Sequence, residues 1–516
     1  MNNFFKHTIL ALAVLCSNFL LAQTQKEFPK DINLIKMTAS GVAVVGTDDA
    51  LYGVDANGKE LWSNKKLKKV EAERVEVLNG SELIFVSDKG ITSRNRVINV
   101  LNGIEYANTG TKGENIFGVR VVHGTNQLWV MPGNKYIDVW DIDSNKKLYN
   151  LQTSTEYGIA VNKSVALTAT FEGMQPITYV GNKEAILHVG LGSLGRYDLT
   201  TGTIKWMFDF KPYKLKKPDG DKGDRASNPS KGFAIMKLDE QLRTLYFPFR
   251  DMLIAIDTET GTPKWDIKAN KSGKVRDMFV TKDGILVLTA KGLQLIDIAT
   301  GTEKWDKPMK IKGAEEGLLI NDGDDFYAVS KGTIVKIDVA SKKAATLTEK
   351  IKFQGNESFS VLEIINNIIV LSSSQNLVGV DKNSGKIQYA VYYKKPGPSL
   401  GTIAQNMALA AVALASTMNS MQVNSQAGNS TYYQYTPALM TNGSNSKEVG
   451  NINYISTKFK GADANGFGVA RVDKATGKTL EKIVIGDRDP VYDVDENKGL
   501  IYYKAGKKSL AIKQIK

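Results

Sequence analysis

Cysteine and histidine are scarce in this chain of 516 residues, which has one Cys and three His. The single cysteine, Cys16, lies in an apolar N-terminal stretch. Without a second cysteine, the chain has no internal disulfide bond and no cysteine-based zinc or haem motif. Beyond residue 22 only His123 and His188 remain, and no G-x-S-x-G, H-E-x-x-H or P-loop motif is present. We therefore expect no catalytic residue and no metal ligand among the histidines.

The N-terminal residues have the order of a secretory signal peptide. A short basic start is followed by an apolar run from Thr8 to Leu21, and then by Ala22 and Gln23. The run is shorter than a transmembrane helix requires. We predict cleavage between Ala22 and Gln23 and a mature chain without a transmembrane span. The predicted location is periplasmic or extracellular, at the cell envelope.

Basic residues outnumber acidic ones, with 67 Lys and Arg against 54 Asp and Glu and a net charge of +13. The lysines are spread over turns and strand edges, a pattern that favours solubility and protects strand edges. A surface for anionic glycans or lipid headgroups is the alternative interpretation. We expect no nucleic-acid binding, because no basic motif with interleaved aromatic residues is present.

A short phrase recurs along the chain: an Asp, then a Gly or Asn three or four residues later, then an aromatic residue about four further on. Leu253–Trp265 is the clearest copy, and its Asp257 is followed 40 residues later by Asp297 (297 − 257 = 40). The predicted turn residues are Asp55, Gly58, Asp198, Gly202, Asp257, Gly261, Asp297, Gly301, Asp381, Gly385, Asp473 and Gly477. The aromatic positions are Trp62, Tyr149, Trp206, Trp265, Trp305 and Tyr389.

This phrase is typical of a β-hairpin whose turn needs a residue with positive φ. Two short alternating strands precede most copies, such as Leu51–Val54 and Ile368–Leu371. Four short strands repeated every 40–45 residues indicate a β-propeller with one four-stranded sheet per repeat. We predict an all-β fold and one propeller domain over residues 23–516. An N-terminal strand, Lys30–Met37, is expected to complete the last unit.

The repeated aromatic and acidic residues are predicted to be structural. Equivalent positions in successive units should lie at equivalent radii, so each Trp or Tyr is expected to fill the gap between two neighbouring sheets. The repeated Asp is expected to accept hydrogen bonds from the turn amides. Two acidic clusters, Asp219–Asp224 and Asp493–Asn497, depart from the spacing of a calcium loop, so no metal site is predicted.

One long insertion interrupts the repeats at residues 396–449. It contains Thr402–Met421, a run rich in Ala, Leu and Met that predicts a helix. This helix is expected to pack over the propeller. The alternative is that its apolar surface contacts a partner or the surface of a membrane.

The phrases D-T-E-T-G-T-P-K-W, D-I-A-T-G-T-E-K-W and D-L-T-T-G-T-I-K-W resemble the PQQ-like repeat of quinoprotein-type β-propellers. The resemblance implies that each tryptophan docks between adjacent blades. It also implies eight blades, which is the number we predict, within a range of seven to ten. Some members of the family are dehydrogenases that bind pyrroloquinoline quinone and calcium on the propeller axis. Others are non-catalytic scaffolds, including a subunit of the outer-membrane β-barrel assembly machinery.

The sequence favours the non-catalytic branch, because the mature chain lacks the adjacent-cysteine ring that often accompanies the quinone. We expect a binding or scaffold protein with no cofactor, whose partner is a protein or a glycan of the envelope. A quinone- and calcium-dependent oxidoreductase and a glycan-binding propeller are the two alternatives.

Overall fold

The computed structural model describes residues 24–87, 95–107, 116–122, 124–132, 137–152, 178–188, 193–209, 236–249, 252–265, 273, 275–289, 291–311, 319–396 and 446–515. These residues form 38 β-strands and one short 3-10 helix at Ala72–Arg74, with no α-helix in the described part. The strands pair into ten antiparallel sheets, eight with four strands and two with three. Each sheet is one blade of a β-propeller, and the blades are numbered here in chain order.

In blades 1 to 5 the strands follow one another in the sheet in the same order as in the sequence. Their bounds are β2 (Ile32–Met37), β3 (Ala43–Thr47), β4 (Leu51–Val54) and β5 (Glu60–Asn64) in blade 1; β6 (Val75–Leu78), β7 (Leu83–Val86), β8 (Arg96–Asn99) and β9 (Glu105–Tyr106) in blade 2; β10 (Ile116–Val122), β11 (Gln127–Pro132), β12 (Asp138–Asp141) and β13 (Lys146–Asn150) in blade 3; β14 (Thr178–Val180), β15 (Glu184–His188), β16 (Ser193–Asp198) and β17 (Ile204–Asp209) in blade 4; and β18 (Lys237–Asp239), β19 (Thr244–Phe249) and β20 (Met252–Asp257) in blade 5.

Blades 6 to 9 repeat this order, and blade 10 adds a strand from the N-terminus. Their bounds are β21 (Val275–Thr281), β22 (Gly284–Thr289) and β23 (Gly292–Ile296) in blade 6; β24 (Leu319–Asp322), β25 (Asp325–Ser330), β26 (Thr333–Asp338) and β27 (Lys343–Thr346) in blade 7; β28 (Val361–Ile365), β29 (Ile368–Ser372), β30 (Asn376–Asp381) and β31 (Ile387–Tyr392) in blade 8; β32 (Lys447–Val449), β33 (Ile452–Lys460), β34 (Asn465–Asp473) and β35 (Thr479–Val484) in blade 9; and β36 (Tyr492–Asp495), β37 (Leu500–Lys504), β38 (Ser509–Gln514) and β1 (Thr24–Glu27) in blade 10.

The first strand of each blade lies nearest the propeller axis. First strands of neighbouring blades contact one another, as β18 does with β21, β24 with β28, and β2 with β36. In the three-stranded blades, bridges at Pro263 and at Glu303 and Met309 occupy the place of the fourth strand.

The core is divided among the gaps between blades. Ten hydrophobic clusters are described, and each combines residues of two neighbouring blades. One of them joins Tyr52 of blade 1 to Leu510 of blade 10. Both sides of a central strand such as β22 are therefore buried along its whole length. A single blade cannot cover its own two faces, so the ring must close for every blade to be covered.

The ring is closed by an N-terminal strand, although the predicted segment was wrong. Thr24–Glu27 pairs with β38 in antiparallel register, from Thr24 opposite Ile512 to Glu27 opposite Ser509. Lys30–Met37 was the predicted closing strand, but its residues Ile32–Met37 form the innermost strand of blade 1. Because β2 is needed for blade 1 itself, the preceding segment is the one left to complete blade 10.

The blade number is ten, the upper limit of the predicted range and not the family's usual eight. Asp381 and Asp473 belong to consecutive blades, so the wide gap between them holds an insertion and no further sheet within the described residues. Lys447–Val449, which the predicted insertion 396–449 included, form β32. The predicted helix at 402–421 lies outside the described residues, as does the predicted signal peptide.

Candidate functional site

The predicted aromatic positions lie at the contacts between neighbouring blades. In blade 4 the buried indole of Trp206 donates a hydrogen bond from Nε1 to the carbonyl oxygen of Thr258 in blade 5, at 2.8 Å. Its ring packs on the turn at Gly261, where a Cβ atom would come within 2.5 Å of it. Gly261 also has φ +72°. The glycine therefore serves both the turn and the close approach of the neighbouring blade.

The same contact is repeated between four other pairs of blades. In each, the polar atom of the aromatic ring donates to the carbonyl that follows the turn Asp or Asn of the next blade. The pairs are Trp62 with Val100 at 2.6 Å, Trp265 with Ile298 at 3.1 Å, Tyr149 with Leu199, and Tyr389 with Lys474. The ring then lies on Gly103, Gly301, Gly202 or Gly477, respectively. Gly58 and Gly385 occupy the same turn position with positive φ, but their neighbours are Thr24 and Leu347.

Trp305 makes a different contact, because the next turn has Lys342 in place of glycine. Lys342 adopts φ +54°, and its ammonium group lies 5.3 Å from the centre of the Trp305 ring. A cation over an indole face is attractive, so this pair substitutes for the glycine contact.

The turn carboxylates accept hydrogen bonds from their own turns. Asp257 accepts the amides of Glu259 and Thr260, both at 2.9 Å, and Asp297, Asp381 and Asp473 accept equivalent amides. Asp55 accepts the amides of Asn57 and Lys59. Hydrogen bonds from the Thr300 hydroxyl and amide lower the pKa of Asp297. For Asp198, burial favours a higher pKa, but the amides of Thr200 and Thr201 outweigh it and the pKa is lowered. Hydrogen bonds from the turns therefore keep Asp198 and Asp297 ionised.

A ring of ionisable residues on the innermost strands is the candidate functional site. Six first strands carry a charged residue at the same level of the propeller. In each of these blades, the charged residue pairs with a second-strand residue. That second-strand residue pairs in turn with the third-strand residue two positions before the turn Asp or Asn. These residues are Lys36, Glu76, Arg120, Lys237, Glu363 and Lys447. We call this set the axial ring.

Electrostatic interactions link the axial ring from blade to blade. Lys36 donates from Nζ to the carbonyl oxygen of Val75 in blade 2. Desolvation by burial lowers the pKa of Lys36 and, in a second effect, the positive charge of Lys447 lowers it further. Burial raises the pKa of Glu76, against the influence of Lys36 and Arg120. The ring therefore alternates in sign through blades 1, 2 and 3.

Two further charged clusters extend the ring. Lys474, of which only 2% is exposed, forms ion pairs with Glu363 at 2.9 Å and with Glu448. Lys447 pairs with Asp493 at 2.9 Å, and Asp493 also accepts the amide of Met37 in blade 1. These pairs connect blades 8, 9, 10 and 1 near the axis.

Asp277 lies two residues before the ring-level position on the first strand of blade 6. Burial raises the pKa of Asp277 to about 6, although the nearby Lys237 of blade 5 acts to lower it. The amide of Met278 donates to its Oδ1 at 2.8 Å. Asp277 therefore changes its charge at mildly acidic pH.

The acidic groups around the axis do not form a cage for calcium. Calcium needs six to eight oxygen ligands, several from carboxylates. Here Glu363 and Glu448 are engaged by Lys474, and Asp493 by Lys447. Within the described ranges, no group of three or more His, Cys, Asp or Glu side chains is placed to hold a metal ion. These residues do not fit a calcium-bound quinone, and we derive no reaction step through one.

A polar cleft lies beside the axial ring, between blades 8 and 9. Its walls include Ser360, Ser372, Ser374, Ser446, Asn453 and Tyr454. Glu357 organises the adjoining turn by accepting hydrogen bonds from Ser373 at 2.5 Å and from the amide of Gln375 at 3.1 Å. The cleft offers hydroxyl and amide groups, but it holds none of the residues predicted from the sequence.

The sequence analysis missed the axial ring because it followed the second, third and fourth strands of each repeat. The available signal was a charged residue inside an otherwise apolar first strand, as in I-N-L-I-K-M and V-L-E-I-I.

His123, the side chain of His188 and the cluster Asp219–Asp224 lie outside the described residues. No helix within the described ranges is long and apolar enough to cross a membrane.

A family model and several solved structures are similar to this chain. A family model described as outer membrane protein assembly factor BamB, a PQQ-repeat model, matches residues 190–483, which is more than half of the chain. Among solved structures, BamB from Moraxella catarrhalis is similar with a TM-score of 0.34 and 11% identity, over 72% of this chain and 99% of that one. The computationally designed Ika8 protein is similar with a TM-score of 0.34 and 12% sequence identity, over 71% of this chain and 98% of that one.

The mitotic checkpoint complex contains a chain that gives a TM-score of 0.31 and 11% identity, over 68% of this chain and 88% of that one. The comparison with curated proteins gives no match. The match of the family model to residues 190–483 shows the family. This chain belongs to the BamB-like family of PQQ-repeat β-propellers.

Proposed function

We propose that the protein is an exported, non-enzymatic β-propeller that binds a partner at the cell envelope and acts as a scaffold. Its family, that of an outer membrane protein assembly factor, supports an envelope role. The observation that carries the proposal is an asymmetry between the two faces of the propeller.

The two faces differ in the length of the chain that joins the strands. One side of the propeller holds the Asp–Gly turns and the turns between first and second strands, and we call this side the turn face. These turns are short, as between Thr281 and Gly284 or Asp322 and Asp325. We call connection face the opposite side, where each fourth strand leads to the first strand of the next blade. The long segments 153–177, 210–235 and 397–445 all begin and end on the connection face.

Insertions on one face of a rigid ring are typical of a binding surface, because loops carry function while the scaffold positions them. The ion pairs of the axial ring support a structural role for that ring. Lys474 is held between two carboxylates and Lys447 faces Asp493, so these groups are engaged with one another. A reactive site would instead require a group available to a substrate.

The test is a pull-down from cell envelopes with the mature chain and with a variant that lacks residues 397–445. The variant keeps 393–396 and Ser446, and a Gly/Ser linker makes the connection as long as residues 347–360, which join β27 to β28. This design preserves β31 and β32. We expect a specific envelope protein with the full chain and weaker recovery with the variant. Equal recovery would remove this segment from the proposed binding surface.

Two further measurements address the alternatives. Incubation with pyrroloquinoline quinone and Ca²⁺, followed by a dye-linked oxidation assay, is expected to give no turnover, and sustained turnover would overturn the non-enzymatic proposal. Binding to a glycan array tests the glycan alternative. Retention of the protein by one class of glycan would indicate that the partner is a sugar and not a protein. Cell fractionation and the mass of the mature chain test export, with Gln23 expected as the first residue.

A further inference from the structure

Seven exposed lysines gather on the connection face where blades 10 and 1 meet. Four belong to the segment K-K-L-K-K that follows β5, one precedes β2, and two lie in the turn between β37 and β38. We call this set the basic patch: Lys30, Lys65, Lys66, Lys68, Lys69, Lys507 and Lys508. The three segments are far apart in the sequence, so only the closed ring brings them together.

Backbone hydrogen bonds join the chain on either side of Lys30 to the turn at Lys507 and Lys508, and the lysine-rich segment is connected to them through Thr47. Ile32 donates its amide to the carbonyl of Lys507 at 2.7 Å, and Phe28 donates to Lys508 at 2.9 Å. Thr47 lies opposite Ile32 in the sheet, and its carbonyl accepts the amide of Lys69 at 3.1 Å. The basic patch is therefore continuous across the blade 10–blade 1 junction.

The lysine-rich segment is fixed to the propeller and does not extend freely into solvent. Leu67 and Val70 are buried in the cluster between blades 1 and 2. The amide of Lys66 donates to Oδ1 of Asn64 at 3.0 Å. Burial of Leu67 directs the lysines on either side of it outward, so the four ammonium groups are presented together at little further cost in conformational entropy.

The positive charge of the basic patch is not cancelled by ion pairs within the described residues. Acidic residues close to the patch in sequence include Asp31, Asp48, Asp49 and Glu71, and the last two are engaged elsewhere. Asp49 accepts the hydroxyl of Thr47 at 2.6 Å, and Glu71 pairs with Arg74 at 3.3 Å. The connection face thus presents a preorganised concentration of lysine charge.

We propose that the basic patch binds the phosphate headgroups of an anionic membrane surface, which orients the connection face toward the membrane. This inference rests on the proposed export to the envelope. Lysine is a compact, hydrated point charge that suits a fluid array of phosphates, whereas bidentate recognition of one group favours arginine. No aromatic side chain belongs to the patch, so it lacks the stacking platform of a single-stranded nucleic-acid site.

The test is co-sedimentation of the mature chain with vesicles of phosphatidylcholine alone or of phosphatidylcholine with phosphatidylglycerol. We expect binding only to the anionic vesicles, with a steep loss between low and high salt because exposed charges are screened. Replacing Lys65, Lys66, Lys68 and Lys508 by Glu is expected to weaken vesicle binding by about tenfold or more.

The matched control replaces Lys59, Lys146, Lys386 and Lys478 by Glu. These four exposed lysines lie in or directly beside the turns between third and fourth strands, on the opposite, turn face. Four Lys-to-Glu replacements give this variant the same net charge as the patch variant. The control is expected to bind like the unmodified chain, and thermal unfolding checks that both variants are folded. Equal loss in both variants would indicate a net-charge effect and overturn the proposal, as would absence of binding by the unmodified chain. Vesicles contain no protein, so the pull-down outcome is independent of this result.

Discussion

The indole of Trp206 in blade 4 and the carbonyl of Thr258 in blade 5 are joined by a hydrogen bond of 2.8 Å. The guanidinium of Arg196 donates from Nη1 to the same carbonyl at 2.5 Å. Blade 4 thus reaches across to the turn of blade 5, and the stability of the ring depends on such contacts, which no single blade possesses.

Trp206→Ala is expected to destabilise the propeller by about 3–5 kcal/mol, because a large buried ring is removed from a packed interface. Trp206→Phe retains much of the packing and loses the Nε1 donor, for an expected cost of about 1 kcal/mol, since Arg196 still occupies the carbonyl. Urea unfolding measures both. Leu61→Ala is the control, because Leu61 lies beside Trp62 but is 37% exposed, and a comparable loss there would contradict the interface argument.

Gly261→Ala is expected to cost more than Gly181→Ala, although both glycines have positive φ, +72° and +61°. An alanine at residue 181 meets no atom within 4 Å, so it reports the backbone cost alone, about 1 kcal/mol. An alanine at residue 261 would also press against the Trp206 ring, which adds about 1–3 kcal/mol. The difference between the two variants in thermal unfolding isolates the blade contact. Equal costs would show that φ alone requires the glycine.

The charge of Asp277 is expected to make the protein less stable as the pH rises from 4 to 6. Burial raises the pKa of Asp277 in the folded chain from 3.8 to about 6. The folded state therefore binds a proton more tightly than the unfolded state, so the penalty is absent below pH 4 and complete above pH 6. A shift of this size corresponds to roughly 3 kcal/mol.

Asp277→Asn removes that titration. We expect the variant to be at least as stable as the unmodified chain at pH 7, and its stability relative to that chain to increase between pH 4 and pH 6. Thermal unfolding midpoints across this range give the difference curve. A flat difference curve would show that Asp277 does not carry the raised pKa.

A mature chain that begins at Phe28 is expected to lose the strand that closes the ring. Four residue pairs between β1 and β38 are removed, each contributing roughly 0.2–1 kcal/mol, so the expected loss is about 1–4 kcal/mol. A chain that begins at Thr24 is the control, since it keeps all four pairs. The thermal unfolding midpoint distinguishes them, and identical midpoints would mean that β1 does not stabilise the closed ring.

The strand prediction succeeded where the repeat was visible in one local phrase. Leu51–Val54 is β4 as predicted, and Ile368–Leu371 lies within β29. The Asp–Gly turns were identifiable because a tight turn restricts which residues fit at each position. The contact between blades 6 and 7 could not be predicted in this way. There Lys342 lies over the Trp305 ring in place of a glycine, and no local sequence pattern indicates such a pair.

By itself, the sequence determined an all-β propeller of repeated hairpins, because alternation and turn chemistry act within a few residues. Only the tertiary structure decided that ten blades close the ring, that Thr24–Glu27 is the closing strand, and that Lys474 lies between Glu363 and Glu448. The basic patch likewise forms from three segments that meet only when blade 10 reaches blade 1. These features depend on pairings across hundreds of residues, and the energy of such pairings is set by which surfaces meet and not by the local order of residues.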